Sequence, residues 1–166
     1  MEDHRSSGIL LAVSSLPGPY GIGSLGGPAR RFVDFLAEAG QHYWQILPLV
    51  PPGDGSSPYM SPSAFAGNPY LIDLDELAAE GLLTPQELDG ARWPDPDRVD
   101  YDHLAQTRIP LLRKAWERSQ TAHLQSDAPD LPWLEDYCTF ASLHDRYQAP
   151  FWQWPEDAPP PEPEEI

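Results

Sequence analysis

The chain has 166 residues, 26 acidic side chains against 10 basic ones, a formal net charge of −16, and 40% hydrophobic residues. That charge repels phosphate backbones and anionic membranes, so it argues against nucleic acid or membrane surfaces as partners and suits a neutral ligand such as a sugar. Cys138 is the only cysteine, which leaves no internal disulfide, and the length gives room for one domain or a large part of one.

The polar start, Met1-Glu2-Asp3-His4-Arg5, leads into an apolar run over residues 9–13 that is too short for a signal segment or a membrane span. The expected location is cytoplasmic. Residues 8–13 form a nearly continuous apolar run, the pattern of a fully buried parallel strand. The next ten residues, Ser14 to Gly23, are dense in turn formers and predict a loop. Pro28 fits a first helical turn, Phe32, Phe35, Leu36 and Ala39 recur at helical spacing, and Gly40 supplies a stop, so a helix is predicted over 28–39. Residues 43–49 read as a second strand, with Pro48 near its end. Strand, helix and strand in this order predict a βαβ unit with parallel pairing.

Residues 50–70 form a long loop rich in Gly, Ser and Pro, and long ordered loops are often functional. Helices follow. One spans 73–80 and stops at Gly81. Thr84-Pro85-Gln86-Glu87 is a capping box with proline at the first helical position. Asp102 is placed to cap a helix running to about residue 121, in which Pro110 should give a kink or a break. A stripe of Trp133, Tyr137, Phe140 and Ala141 predicts a helix over 131–147, followed by Phe151, Trp152 and Trp154. Residues 155–166 hold five prolines, five acids and no base, and are expected to be disordered or extended.

Three segments carry a resemblance: Ser15-Leu16-Pro17-Gly18-Pro19-Tyr20-Gly21-Ile22-Gly23, Tyr43-Trp44-Gln45-Ile46-Leu47-Pro48-Leu49, and the block from Ser57-Pro58-Tyr59 through Gly67-Asn68-Pro69-Tyr70-Leu71-Ile72-Asp73. In this order and spacing they resemble the N-terminal region of amylomaltases, the 4-alpha-glucanotransferases, from about Gly8 to about Trp154. The resemblance implies an α/β fold: a partial (β/α)8 TIM barrel made of its first two strands and intervening helix over 1–50, a mainly helical insertion subdomain with the active-site loop over 51–154, and an acidic tail over 155–166. It further implies transfer of α-1,4-glucan segments between maltooligosaccharides with retention of configuration. It implies that Tyr59 stacks on the glucose ring beside the scissile bond and that Ser57 lies close to the sugar. In the family the nucleophile, the acid/base and the stabilising carboxylate lie on later strands. No catalytic residue is expected in this chain, nor a cofactor or metal, and the chain alone is expected to be inactive. The expected partner is a maltooligosaccharide or starch-type glucan.

The residues give a physical reason for the sugar assignment, although by themselves they favour plain loop packing of Tyr59. A glucose ring has an apolar C–H face and a hydroxyl rim, which an aromatic ring with a phenol can match. Asp54, between Gly53 and Gly55, reads as a turn residue and not a catalytic acid. The five histidines show no metal spacing, and no nucleophile elbow surrounds Ser14, which rules out a triad with His42 and Asp34. Gly21-Ile22-Gly23-Ser24-Leu25-Gly26 matches a dinucleotide fingerprint literally but does not follow a strand end. Trp133, Tyr137 and Phe140 read as helix core, with Cys138 a buried small hydrophobe among them. Two other functions remain open from the sequence: a glucan-binding module without catalysis, and an interaction protein whose Pro-rich tail is bound by a partner.

Overall fold

A computed structural model describes residues 5–93, 97–121 and 131–161. Strand β1 (Gly8–Leu10) pairs in parallel with β2 (Tyr43–Gln45), with Gly8 opposite Tyr43 and Leu10 opposite Gln45. Helix α1 (Gly27–Glu38) lies between them in sequence. Pro28 stands in its first turn and Gly40 ends it in the left-handed region at φ 67°, as the local chemistry dictates. The indole N–H of Trp44 donates to the Leu11 carbonyl at 2.8 Å, and the Phe32 ring of α1 meets Trp44 edge-on at 4.9 Å.

The expected fully buried strand over 8–13 is corrected. β1 is three residues long and exposed at every position, with Leu10 59% exposed and Tyr43 on its neighbour 65% exposed. Burial begins only at Val13, in a 3-10 turn over Val13–Ser15. A parallel strand is buried when elements cover both faces and both edges. Among the described residues this sheet has two strands, so that cover is missing.

The chain divides into two compact units, the first comprising Met1–Pro62 and Gly67–Ser126, the second Ser63–Ala66 and Asp127–Ile166. In the first unit, one apolar cluster gathers Val13, Leu16, Ile22, Leu71 and Leu104, with Phe32, Trp44 and Leu49 packed against it. A second gathers Tyr20, Leu74, Leu82, Leu83, Leu88 and Ala115. Each fully buried leucine contributes roughly 1.5–3 kcal/mol by leaving water.

Helices α2 (Leu74–Ala79), α3 (Pro85–Ala91) and α4 (Tyr101–Thr121) build the second cluster. Asp73 caps α2, accepting from the N–H groups of Asp75 at 2.9 Å and Glu76 at 3.2 Å, while its other oxygen accepts from the Ser24 hydroxyl at 2.7 Å. A Cβ on Gly26 would collide with this carboxylate. The last glycine of the fingerprint-like stretch therefore serves the chain's own packing. Thr84 and Glu87 form the expected capping box on α3. The cap of α4 is Asp100, which accepts from His103 N–H at 3.0 Å, and not Asp102. α4 also runs unbroken through Pro110. Pro110 and Gln106, whose carbonyl loses its helical donor, both lie on the exposed face, where water can serve that carbonyl.

Arg108 of α4 is 1% exposed. One of its terminal nitrogens donates to the Ile72 carbonyl, while Nε and Nη1 have no hydrogen-bond partner among the described residues. Burial pushes its guanidinium down to about 10, opposed by the charge of Asp73.

In the second unit, α5 (Leu134–Tyr147) carries no fully buried residue, and Cys138 is half-buried. The expected core stripe is therefore half-buried, its rings packed on one another. Trp133 meets Tyr137 edge-on at 6.4 Å, and Trp154 folds back on Phe140 at 5.5 Å and Tyr147 at 6.0 Å. Residues 155–161 are extended apart from a turn in which Ala158 N–H donates to the Pro155 carbonyl at 3.1 Å. The rest of the acidic tail, 162–166, lies outside the described residues.

Candidate functional site

In a parallel sheet the loops that follow the strands' C-terminal ends gather on one side, and ligand sites form there. Here those are the segments after β1 and β2. Ala12–Ser15, Leu47–Val50 and Pro52 line a cleft of about 180 Å³, completed by Ser56, Pro58, Asn68, Leu71 and Tyr101. The described lining residues mix aliphatic side chains with hydroxyls and one amide, and none of them is a carboxylate. Tyr101 meets Tyr70 edge-on at 5.5 Å and hydrogen-bonds with Ser14, while its burial raises its pKa. Ser14 is thus engaged with Tyr101. A second cleft of about 270 Å³ is lined by residues 14–18, Gly21, Ile22 and 97–99.

The rim of the first cleft is the long loop. Its two ends meet, for Asn68 N–H donates to the Leu49 carbonyl at 2.8 Å. Between them the chain makes short 3-10 turns, Asp54–Ser56 and Pro58–Met60. The Asp54 backbone opens the first of these. Gly53 N–H donates to the Ser57 carbonyl at 3.3 Å, and a Cβ on Gly53 would collide with the Met60 carbonyl, so the loop closes on itself only with glycine there.

Ser57 is the N-cap of the second turn, its hydroxyl accepting from Tyr59 N–H at 3.3 Å. Pro58 sets the following φ. These two residues fix the Tyr59 backbone, and its ring stands 73% exposed beside a cleft that Ser56 and Pro58 line. Ser57 and Tyr59 are thereby brought together, with the ring open to solvent. Sequence reasoning did not single out Asn68 or Tyr101. Asn68 could have been found from its place before Pro69, where an Asx turn is favoured; Tyr101 carries no local signal and reaches the cleft only through α4.

Among the described residues no three His, Cys, Asp or Glu side chains gather as a metal centre requires, and no helix is long and apolar enough to cross a membrane.

Comparison with known proteins gives consistent matches. A family model described as 4-alpha-glucanotransferase matches residues 11–166. The chain is 43% identical to the 4-alpha-glucanotransferase of Synechocystis sp., covering 100% of this chain and 35% of that protein. It is 45% identical to the 4-alpha-glucanotransferase of Thermus thermophilus, covering 93% and 32%. Among solved structures it is similar to the amylomaltase from Streptococcus agalactiae in complex with acarbose, with a TM-score of 0.79 and 37% identity over 92% of this chain and 32% of that one. The chain spans about a third of the length of the curated relatives it matches.

Proposed function

Because the chain belongs to the 4-alpha-glucanotransferase family, we propose that it supplies the opening strand–helix–strand of a (β/α)8 barrel together with the loop that grips an α-1,4-glucan during retaining transfer between maltooligosaccharides. The observation that carries this reading is the Tyr59 ring, 73% exposed and fixed by Ser57 and Pro58 beyond the C-terminal end of β2. Its flat face suits the C–H face of a glucose unit and its hydroxyl the sugar rim. Ser57 is the neighbouring polar contact. A chain with net charge −16 has no field to repel a neutral glucan.

Retaining transfer needs an acid/base and a nucleophile carboxylate about 5 Å apart. None of the described lining residues is a carboxylate, so in this reading both come from barrel strands beyond these 166 residues. The open faces and edges of β1 and β2 then meet the rest of the barrel. A second reading, glucan binding without chemistry, draws on the same carboxylate-free lining.

The test joins this chain in register to the remaining two thirds of the Thermus thermophilus relative. The parent chimera should disproportionate maltotriose, whereas glucan binding without transfer would favour the second reading. Tyr59→Ala should lose about ten- to a hundredfold in kcat/KM, from a stacking contact worth roughly 1–3 kcal/mol. The loss should fall in kcat as well as KM if the contact tightens as the ring flattens. Tyr59→Phe should cost less. Near-parent kinetics for Tyr59→Ala with a lowered melting temperature would reduce the residue to loop packing.

A further inference from the structure

The long loop uses one local device three times. The Ser57 hydroxyl accepts from Tyr59 N–H at 3.3 Å, the Ser63 hydroxyl from Phe65 N–H at 3.2 Å, and the Asn68 amide oxygen from Tyr70 N–H at 2.9 Å. In each case an oxygen two residues ahead fixes the backbone of an aromatic residue. Tyr70 turns inward onto Tyr101. The other two rings face solvent, Phe65 being 71% exposed.

Phe65 is held more firmly than an exposed phenylalanine needs to be. Ser63 Oγ also accepts from Ala66 N–H at 3.0 Å, and Ala66 is buried. One face of the Phe65 ring stacks on Trp133, with centroids 5.7 Å apart and planes 24° apart. Trp133 is in turn braced edge-on by Tyr137. The result is a rigid, flat, uncharged ring backed by two others, with its outer face in water. An exposed apolar ring costs free energy in water that contact with an apolar surface returns, and a ring already immobilised loses little entropy on binding. A charged or extended-peptide ligand would need polar partners around the ring. A sugar C–H face needs only the flat surface.

We propose that Phe65, backed by Trp133, is a glucan-binding platform of its own, separate in role from Tyr59, that takes a glucosyl unit of an α-1,4-glucan. The proposal rests on the glucan reading above and adds a second ring to it.

The experiment uses the 166-residue chain and maltoheptaose as the probe. The indole N–H signal of Trp133 is followed by two-dimensional NMR, assigned by its disappearance in Trp133→Phe. In the parent the Trp133 signal should move on titration. Phe65→Ala and Phe65→Leu should weaken that response by roughly ten- to a hundredfold in Kd, as loss of one stacked ring does. Phe65→Leu keeps an apolar side chain against Trp133 and loses only the flat face, and near-ultraviolet circular dichroism checks that both variants keep their fold. No movement in the parent, or an equal response in Phe65→Leu, overturns the proposal. So does a response abolished by Tyr59→Ala and kept by both Phe65 variants, which leaves the Tyr59 reading standing. Failure of the Tyr59 reading shows separately, in the transfer kinetics of the chimera.

Discussion

Arg118 forks onto Glu87, its Nη1 donating to Oε2 at 2.8 Å and its Nη2 to Oε1 at 3.0 Å. Lys114 adds a bond to Oε1 at 2.8 Å, and Thr84 donates its backbone N–H to Oε2 at 2.9 Å. One carboxylate thus closes the capping box of α3 and ties α3 to α4. Arg118 also reaches the Leu82 carbonyl at 2.8 Å, which fixes the turn before α3.

The Arg118 bond, with those of Lys114 and Thr84, holds the Glu87 carboxyl well below its ordinary value of 4.5. A depressed folded pKa adds stability that is complete above the unfolded value and fades as pH falls through it. Glu87→Gln should therefore melt lower than the parent by about 2–5 °C at pH 7. The gap should stay constant down to about pH 5 and shrink below 4.5. Melting curves of both proteins from pH 7 to pH 2 check this, and a gap that does not depend on pH would assign the effect to packing.

Gly26→Ala should be severely destabilising. The new methyl group lands on the Asp73 carboxylate, which holds Ser24 and caps α2. Overpacking costs about 1–3 kcal/mol and a lost cap about 1 more. Urea unfolding should show a loss of roughly 2–4 kcal/mol. Gly67→Ala is the control, because nothing lies within 4 Å of its added Cβ.

Leu104 and Arg108 are equally buried and should respond oppositely to change. Leu104→Ala opens a cavity in the Val13–Leu71 cluster and should cost about 2–5 kcal/mol. Arg108→Met keeps the volume, gives up the bond to the Ile72 carbonyl, and removes a charge whose Nε and Nη1 are unpartnered. Its cost should be within about 1 kcal/mol of zero. Denaturant midpoints at equal m-value decide the comparison.

The 166-residue chain by itself should neither transfer nor hydrolyse maltotriose, since none of the described residues lining its cleft is one of the two carboxylates the reaction needs. Chromatography of an overnight incubation should show no glucose and no longer chains. Turnover that survives repurification would overturn this.

Much of the fold was legible where the cause is local. Pro28, Gly40, Asp73, Gly81 and the pair Thr84 and Glu87 mark helix ends through hydrogen bonds or dihedrals settled within four residues, and the structure places caps and stops there. The parallel pairing of β1 and β2 was legible from the strand–helix–strand order. What depends on distant neighbours was not. The apolar run that starts at Gly8 looks the same whether a sheet covers it or not, and here Leu10 is exposed. Arg108 was not singled out, because nothing nearby in sequence says that α4 presses it against Ile72. Pro110 was expected to interrupt its helix, but which face it occupies follows from how α4 packs. At the candidate site the sequence singles out Tyr59 and Ser57, and the structure joins the two in one turn. The stacking of Phe65 on Trp133 was missed because the two residues stand 68 positions apart in the chain.

The bond from Asn68 to the Leu49 carbonyl also bears on how such a loop can change. The chain leaves the β2 segment and returns to the same carbonyl, so the residues between behave as a closed excursion whose length does not alter the distance between its ends. Doubling such a loop costs only about 0.6 kcal/mol of closure entropy. Insertions between the anchors at Leu49 and Asn68 should therefore be tolerated where they leave Ala66 buried and Phe65 on Trp133.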